Sequence, residues 1–240
     1  MRQLSTYINE KLVLNKNTFK YKYFPKTRVE LKKIIEQLLK ERKGQDIINL
    51  NDIDTSEITD MSFLFGDIQY IKNINISEWD TSKVKDMYGM FDHCEILKST
   101  GDLSSWNVSE VTNMSFMFSN CLNLKSIGDL SLWNVSNVTD MTMMFCYCNK
   151  LTNIGNLDNW NVSKLSDAYA MFCNCHVLKS IGDISKWNIS KIKDISRMFE
   201  NCKNLKNVGD LNKWNISNTN RITKMFTDSN ITNIPEWYKK

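Results

Sequence analysis

Two short runs hold the residues of this chain best suited to chemistry: Cys146-Tyr147-Cys148 and Cys173-Asn174-Cys175, the second followed by His176. Thiolates and imidazoles bind soft metals, and two thiols can close a disulfide. The runs lie 27 residues apart, and Cys94, Cys121 and Cys202 fall in step with Cys148 and Cys175. A small apolar residue recurring at one step suits a buried ladder. The odd total of seven cysteines argues against a disulfide framework and points to a reducing compartment. Core packing is therefore the preferred reading, with an adjacent-coil disulfide and a metal site as the alternatives.

The remaining candidate chemistry does not converge. His93 and His176 stand about three repeats apart, too far to share a site at about 4.8 Å per repeat. No phosphate loop, nucleophile elbow or zinc-protease helix occurs. No catalytic residue, metal or cofactor is implied. Five Asn-x-Ser triplets, at Asn107, Asn134, Asn161, Asn188 and Asn215, fit glycosylation acceptors. They also fit one repeated turn, which is preferred because Asn and Ser side chains bond neighbouring backbone.

Binding has better candidates. Lys98, Lys125, Lys179 and Lys206 share one position, interrupted by Thr152, and should line an exposed face that an acidic protein surface could meet. Asp102, Asp129, Asp183 and Asp210 run parallel four residues on, so the two columns could also merely screen each other. Tyr88, Phe116, Met143, Tyr169, Arg197 and Lys224 occupy or adjoin variable positions elsewhere in the repeat and are candidates on the other face.

What positions all of these is a tandem repeat. Trp79, Trp106, Trp133, Trp160, Trp187 and Trp214 are each 27 residues apart, and Trp237 follows after 23. Met-Phe pairs from Met90-Phe91 to Met225-Phe226, leucines from Leu97 to Leu205 and glycines from Gly101 to Gly209 keep the same step. An earlier, degenerate copy runs from Ile53 to Phe65. One coil cannot bury its own apolar residues; stacked coils bury them as columns. About seven coils at strand spacing make a rod of roughly 35 Å. Within a coil, Leu124-Lys125-Ser126-Ile127 reads as a short strand, and Gly128 as a turn needing positive φ. Asp140 reads as the N-cap of a helical turn over Met141–Phe145, with Asp60, Asp86, Asn113, Asp167 and Asp194 in the same column. The fold class is thus an α/β repeat, a solenoid with short strands and short helical turns.

The ends need covers. Thr27-Arg28-Val29-Glu30 is a capping box, and Val29, Leu31, Ile34, Ile35, Leu38 and Leu39 share one helical face, predicting a capping helix over 27–43 with Gly44 as its stop. Phe19, Tyr21 and Tyr23 alternate with lysines and predict a strand or hairpin before it. Ile231, Ile234 and Trp237 close the other end, where Pro235 discourages a further element. Two regions result: 1–50, strand and capping helix, and 51–240, the solenoid with its C-terminal cap.

The unit W-N-V-S-x-V-T-D-M-x-x-M-F-x-x-C-x-x-L, best seen from Trp106 to Leu124 and Trp133 to Leu151, resembles the repeat of the BspA-like leucine-rich-repeat surface proteins of bacteria. The resemblance covers about 51–237, and the lysine-rich stretch Pro25–Asn51 looks like the segment preceding such arrays. It implies a leucine-rich-repeat-like solenoid, adhesion or ligand binding at the bacterial cell surface, and no catalytic residues.

The 42% hydrophobic and 24% charged composition is globular. A net charge of +4 without a block of like charge gives little support to nucleic-acid binding, except through a bound protein complex. No apolar run of about 18 residues occurs, so membrane insertion is not expected. Residues 1–24 show no secretory core, which as written points to the cytoplasm where the resemblance points to the surface. The expected function is a non-enzymatic protein-binding module with no small-molecule substrate. The alternative is an intracellular interaction protein, such as a phage or mobile-element inhibitor of a host enzyme or defence complex.

Overall fold

Successive copies of the repeat meet through parallel backbone bridges. One series links Asp60 to Asp86, then Asn113, Asp140, Asp167, Asp194 and Arg221. A second links Asn73, Ser99 and Ser126. This computed structural model describes residues 20–239, so residues 1–19, Phe19 among them, lie outside the described residues. Each coil stacks on the last in register, and the ladder is the architecture: a repeat solenoid.

The core is a set of columns running along it. Phe65, Phe91, Phe118, Phe145, Phe172, Phe199 and Phe226 stack ring on ring with centroids 5.0–5.9 Å apart. Tryptophan adds a polar anchor. Trp133 Nε1 donates to the Leu103 carbonyl at 3.0 Å, and every Trp from Trp79 to Trp237 makes the equivalent bond to the coil before it. A buried indole N–H needs a partner, and here it also ties neighbouring coils.

The expected helical turn over Met141–Phe145 is absent. Asp140 Oδ1 does accept the Thr142 N–H at 2.8 Å, as an N-cap would. The chain then takes a left-handed residue at Met143 (φ 52) and another at Tyr147 (φ 61). Phe116 and Asn120, Ala170 and Asn174, and Arg197 and Asn201 repeat the pair. A right-handed helix cannot run through such residues. Their N–H groups turn to the next coil instead: Phe116 to the Thr142 carbonyl at 2.8 Å, Phe118 to Met144 at 2.9 Å, and Asn120 to Cys146 at 2.8 Å. The face is therefore a parallel ladder of turns.

The predicted strand at Leu124–Ile127 also shrinks. It keeps one bridge, at Ser126, and the regular strands of the described residues are β1 (Ile48–Asn49) and β2 (Ile74–Asn75), paired in parallel. Beyond β2 an extra residue enters each coil. Bridges step by 26 residues from Asn73 to Ser99 and by 27 afterwards. Gly128, at φ +94, takes up the turn, and the Asp102 carboxylate lies where its Cβ would be.

Helix α1 (Arg28–Glu41) begins at Thr27, whose side chain accepts the Glu30 N–H at 3.2 Å. The other half of the capping box is displaced, since the Glu30 carboxylate takes the Lys26 N–H. Leu31, Ile35, Leu38 and Leu39 are fully buried in the core they share with the coils, with Ile34 packed at its edge. Val29, predicted on that face, is 58% exposed, because at about 100° per residue it stands roughly 200° round the helix from Leu31. Arg28 and Lys32 donate to the carbonyls of Ser62 and Phe63, and Arg42 makes a two-point pair with Asp52 at 2.7 and 3.1 Å. Tyr23 joins Ile53 in a parallel bridge; the described residues form no hairpin there. At the far end a 3₁₀ turn, Glu236–Tyr238, follows Pro235, which fits its N-cap position. Tyr238 sets its edge against Phe226 at 5.0 Å.

Candidate functional site

The five cysteines of the repeat column are committed to the scaffold. Cys94, Cys121, Cys148, Cys175 and Cys202 each donate their thiol to a Phe carbonyl of the preceding coil, at 3.0–3.2 Å. Burial pushes the Cys94 thiol up to about 12 and those of Cys121 and Cys175 well above the usual range. These thiols stay protonated, which suits a hydrogen-bond donor and not a metal ligand. Among the described residues no group of three or more His, Cys, Asp or Glu side chains gathers as a metal site. His93 sits 3.0 Å from Asp92, while His176 faces Asn174 at 3.3 Å with its pKa lowered by burial and by Lys203.

The Asn-x-Ser triplets are turns. Asn134 Oδ1 accepts the Ser136 N–H at 3.2 Å, and Asn107, Asn161, Asn188 and Asn215 do the same for their serines. The aspartates of the second predicted column are occupied likewise. Asp102, Asp129 and Asp183 each accept an N–H two residues on at 2.9 Å, and Asp210 does so at 3.2 Å. The bonds from Ser131 hold the Asp129 carboxyl below its ordinary range, and those from Ser185 do this for Asp183.

Lys98, Lys125, Lys179 and Lys206 are all exposed. Backbone bonds join parts of their column: Lys125 N–H donates to the Lys98 carbonyl at 3.0 Å, and Lys179 N–H to that of Thr152 at 3.4 Å. Lys98 N–H in turn bonds the Lys72 carbonyl at 2.6 Å, which adds Lys72 to the row. Sequence spacing missed Lys72 because this step is 26 residues where the later ones are 27; the bridge from Asn73 to Ser99 fixes the register. None of these five lysines has a carboxylate within 4.0 Å among the described residues. The neighbouring aspartates shape the turn and do not pair with them.

The other candidates lie on the turn ladder. Tyr88 packs edge-on against Phe63 at 4.9 Å and against Phe116 at 5.7 Å. Tyr88, Phe116, Met143, Tyr169 and Arg197 are half-buried, and Lys224 is exposed. Arg197 is already paired with Glu200 at 3.1 Å. The structure keeps this row apart from the lysine row, since the two occupy different columns of each coil.

The family described as "Mycoplasma protein of unknown function, DUF285" matches residues 33–128 and 124–237. The chain belongs to this family. Its match begins inside α1 and ends at the last tryptophan, so in this DUF285 protein it spans the coils just described. No curated protein matches the chain. Among solved structures, a leucine-rich repeat protein from Eubacterium ventriosum is similar at 18% identity and a TM-score of 0.38, over 77% of this chain and 38% of that one. A TLR13–ssRNA13 complex is similar at 11% identity and a TM-score of 0.15, over 67% of this chain and 39% of that one. The chain thus spans well under half the length of either. The solenoid itself rests on the ladder of bridges in this DUF285 protein.

Proposed function

We propose that this DUF285 protein is a non-enzymatic, leucine-rich-repeat-like interaction module of about seven coils that binds an acidic protein surface through its lysine column. Residues 1–50 act as the N-terminal cap and 51–240 as the binding solenoid. The observation that carries the reading is the row Lys72, Lys98, Lys125, Lys179 and Lys206, exposed and without a counter-ion among the described residues. Like charges at coil spacing repel weakly in water, and a facing row of carboxylates relieves that repulsion and steers encounter. Column residues facing inward are committed to packing, so recognition falls to exposed positions such as these.

The resemblance to BspA-like proteins supports a role for such binding in adhesion at a bacterial surface. The reading as an intracellular inhibitor is favoured by the seven reduced, buried cysteines. Localisation of the native protein separates the two. The binding claim is tested by capture of partners from the native host, using tagged full-length chain and a charge-reversed variant carrying Lys98→Glu, Lys125→Glu, Lys179→Glu and Lys206→Glu. One stoichiometric protein held by the wild type, released by salt and at least tenfold weaker with the variant, is expected. Equal binding by both would overturn the assignment, and retention of nucleic acid alone would replace the protein partner.

A further inference from the structure

Two cysteines stand outside the thiol column, in a small buried cluster apart from the main core. Cys146 and Cys173 occupy equivalent positions in adjacent coils, at the place that Asp92, Ser119 and Glu200 hold in others. That column is otherwise polar or small, so no core ladder runs through it. The two sulfurs form a small cluster of their own with Ala170, separate from the main core and covered by the half-buried side chains of Met143 and Tyr169.

Their register brings them together. Phe145 N–H donates to the Met171 carbonyl at 2.9 Å and Tyr147 N–H to the Cys173 carbonyl at 2.8 Å, so the two coils are laddered on either side of Cys146. Neighbouring parallel positions lie about 4.8 Å apart, inside the ~4.4–6.8 Å Cα separation that a disulfide spans. Cys146 and Cys173 lie buried side by side in that cluster. Asn174 Nδ2 donates to the Cys173 sulfur at 3.1 Å, and the Cys173 thiol donates to the Glu200 carboxylate at 3.8 Å, which is itself paired with Arg197.

We propose that Cys146 and Cys173 form a redox-active dithiol that closes to an adjacent-coil disulfide when it meets a hydroperoxide. The Cys173 thiolate attacks one oxygen of hydrogen peroxide; the O–O bond breaks, the leaving hydroxide takes up the proton that Cys173 had lost and departs as water, and a sulfenic acid forms on Cys173. The Cys146 sulfur then attacks that sulfur, the S–O bond breaks, and a second water departs with the Cys146 proton. Two thiols lose two electrons and two protons, and one peroxide becomes two waters. Cys173 is the attacking sulfur because the Asn174 amide donates to it, and its pKa is lowered, chiefly by Cys146 and further by Arg197, against burial and Glu200, which raise it. Cys146, the other thiol of the cluster, resolves; Cys173 and burial hold its pKa up until Cys173 has been oxidised. The column cysteines take no part, each being a protonated donor inside the core.

Folded full-length protein is treated with stoichiometric hydrogen peroxide, denatured, alkylated and weighed intact. The free thiols should fall from seven to five per chain. A tryptic digest should link the peptide of residues 126–150 to that of 165–179. Each of these also carries a column cysteine, so Cys146→Ser and Cys173→Ser are run beside the wild type. Serine fits the position, as Ser119 shows one coil earlier. The link must vanish in both variants. Its survival in either would assign it to a pair that includes a column cysteine, Cys148 or Cys175, and overturn the proposal, as would seven thiols remaining or oxidation without a cross-link.

Discussion

At the residue scale, each coil is held by polar bonds that only particular side chains can make. Trp133 shows the point. Trp133→Phe keeps the apolar column but removes one of the two donors to the Leu103 carbonyl, which retains the Trp106 N–H at 3.1 Å, and should cost about 1 kcal/mol in chemical denaturation. Leu132→Ala, next to it and 86% exposed, should stay within about 0.5 kcal/mol. Gly128→Ala tests the turn. Its φ of +94 and the Asp102 carboxylate at the Cβ position predict a loss of at least about 1 kcal/mol. Adding Asp102→Ala should recover part of that loss, and strict additivity of the two would contradict the contact. The tryptophan, cysteine and glycine columns were legible because residue type alone marks a buried or left-handed position. The hydrogen bonds made by indole and thiol were not, since composition names a donor without naming its acceptor.

At the scale of elements, the instructive departure is the helical turn that became a ladder. The cap residue was readable: Asp140 and its column mates do accept N–H groups two residues on. The backbone after the cap was not, because the first left-handed position of each pair is filled by Phe116, Met143, Arg197 or Lys224, whose types carry no signal for positive φ, whereas Asn120, Asn174 and Asn201 at the second position do. Stacking decides the backbone here, each strained residue being tied to the next coil. Lys224, exposed at φ 57 in the last such position, lacks a further coil to stack against. Lys224→Gly should therefore raise stability by about 1 kcal/mol, read from the thermal midpoint. Helix α1 has its own anchor in Arg42 and Asp52. Burial raises the Asp52 pKa, but the Arg42 bonds outweigh it and the net shift is downward from 3.8. A carboxyl depressed in the fold stabilises above its ordinary range and loses that contribution as pH falls through it. Amide exchange in α1 should accelerate below about pH 4 before the coils respond, and Arg42→Gln should remove the pH dependence of that opening.

For the whole molecule, the rod of stacked coils was readable from the 27-residue step, while the true extent of its basic row was not. One shorter step hid Lys72, and only the bridge register placed it beside Lys98. Likewise, the paired lysine and aspartate columns looked self-screening in sequence; in three dimensions the aspartates serve their own turns. The molecule thus separates its labour by column: Phe, Trp and Cys hold the coils together, and the lysine row is left for a partner. The measurement that tests this most directly is amine footprinting of the captured complex, comparing acetylation of each lysine in free and bound protein. Protection concentrated at Lys72, Lys98, Lys125, Lys179 and Lys206, with Lys224 on the turn ladder still fully reactive, is the predicted result. Unchanged reactivity along that row, with protection at Lys224 or on α1 at Lys32 and Lys40 instead, would contradict it.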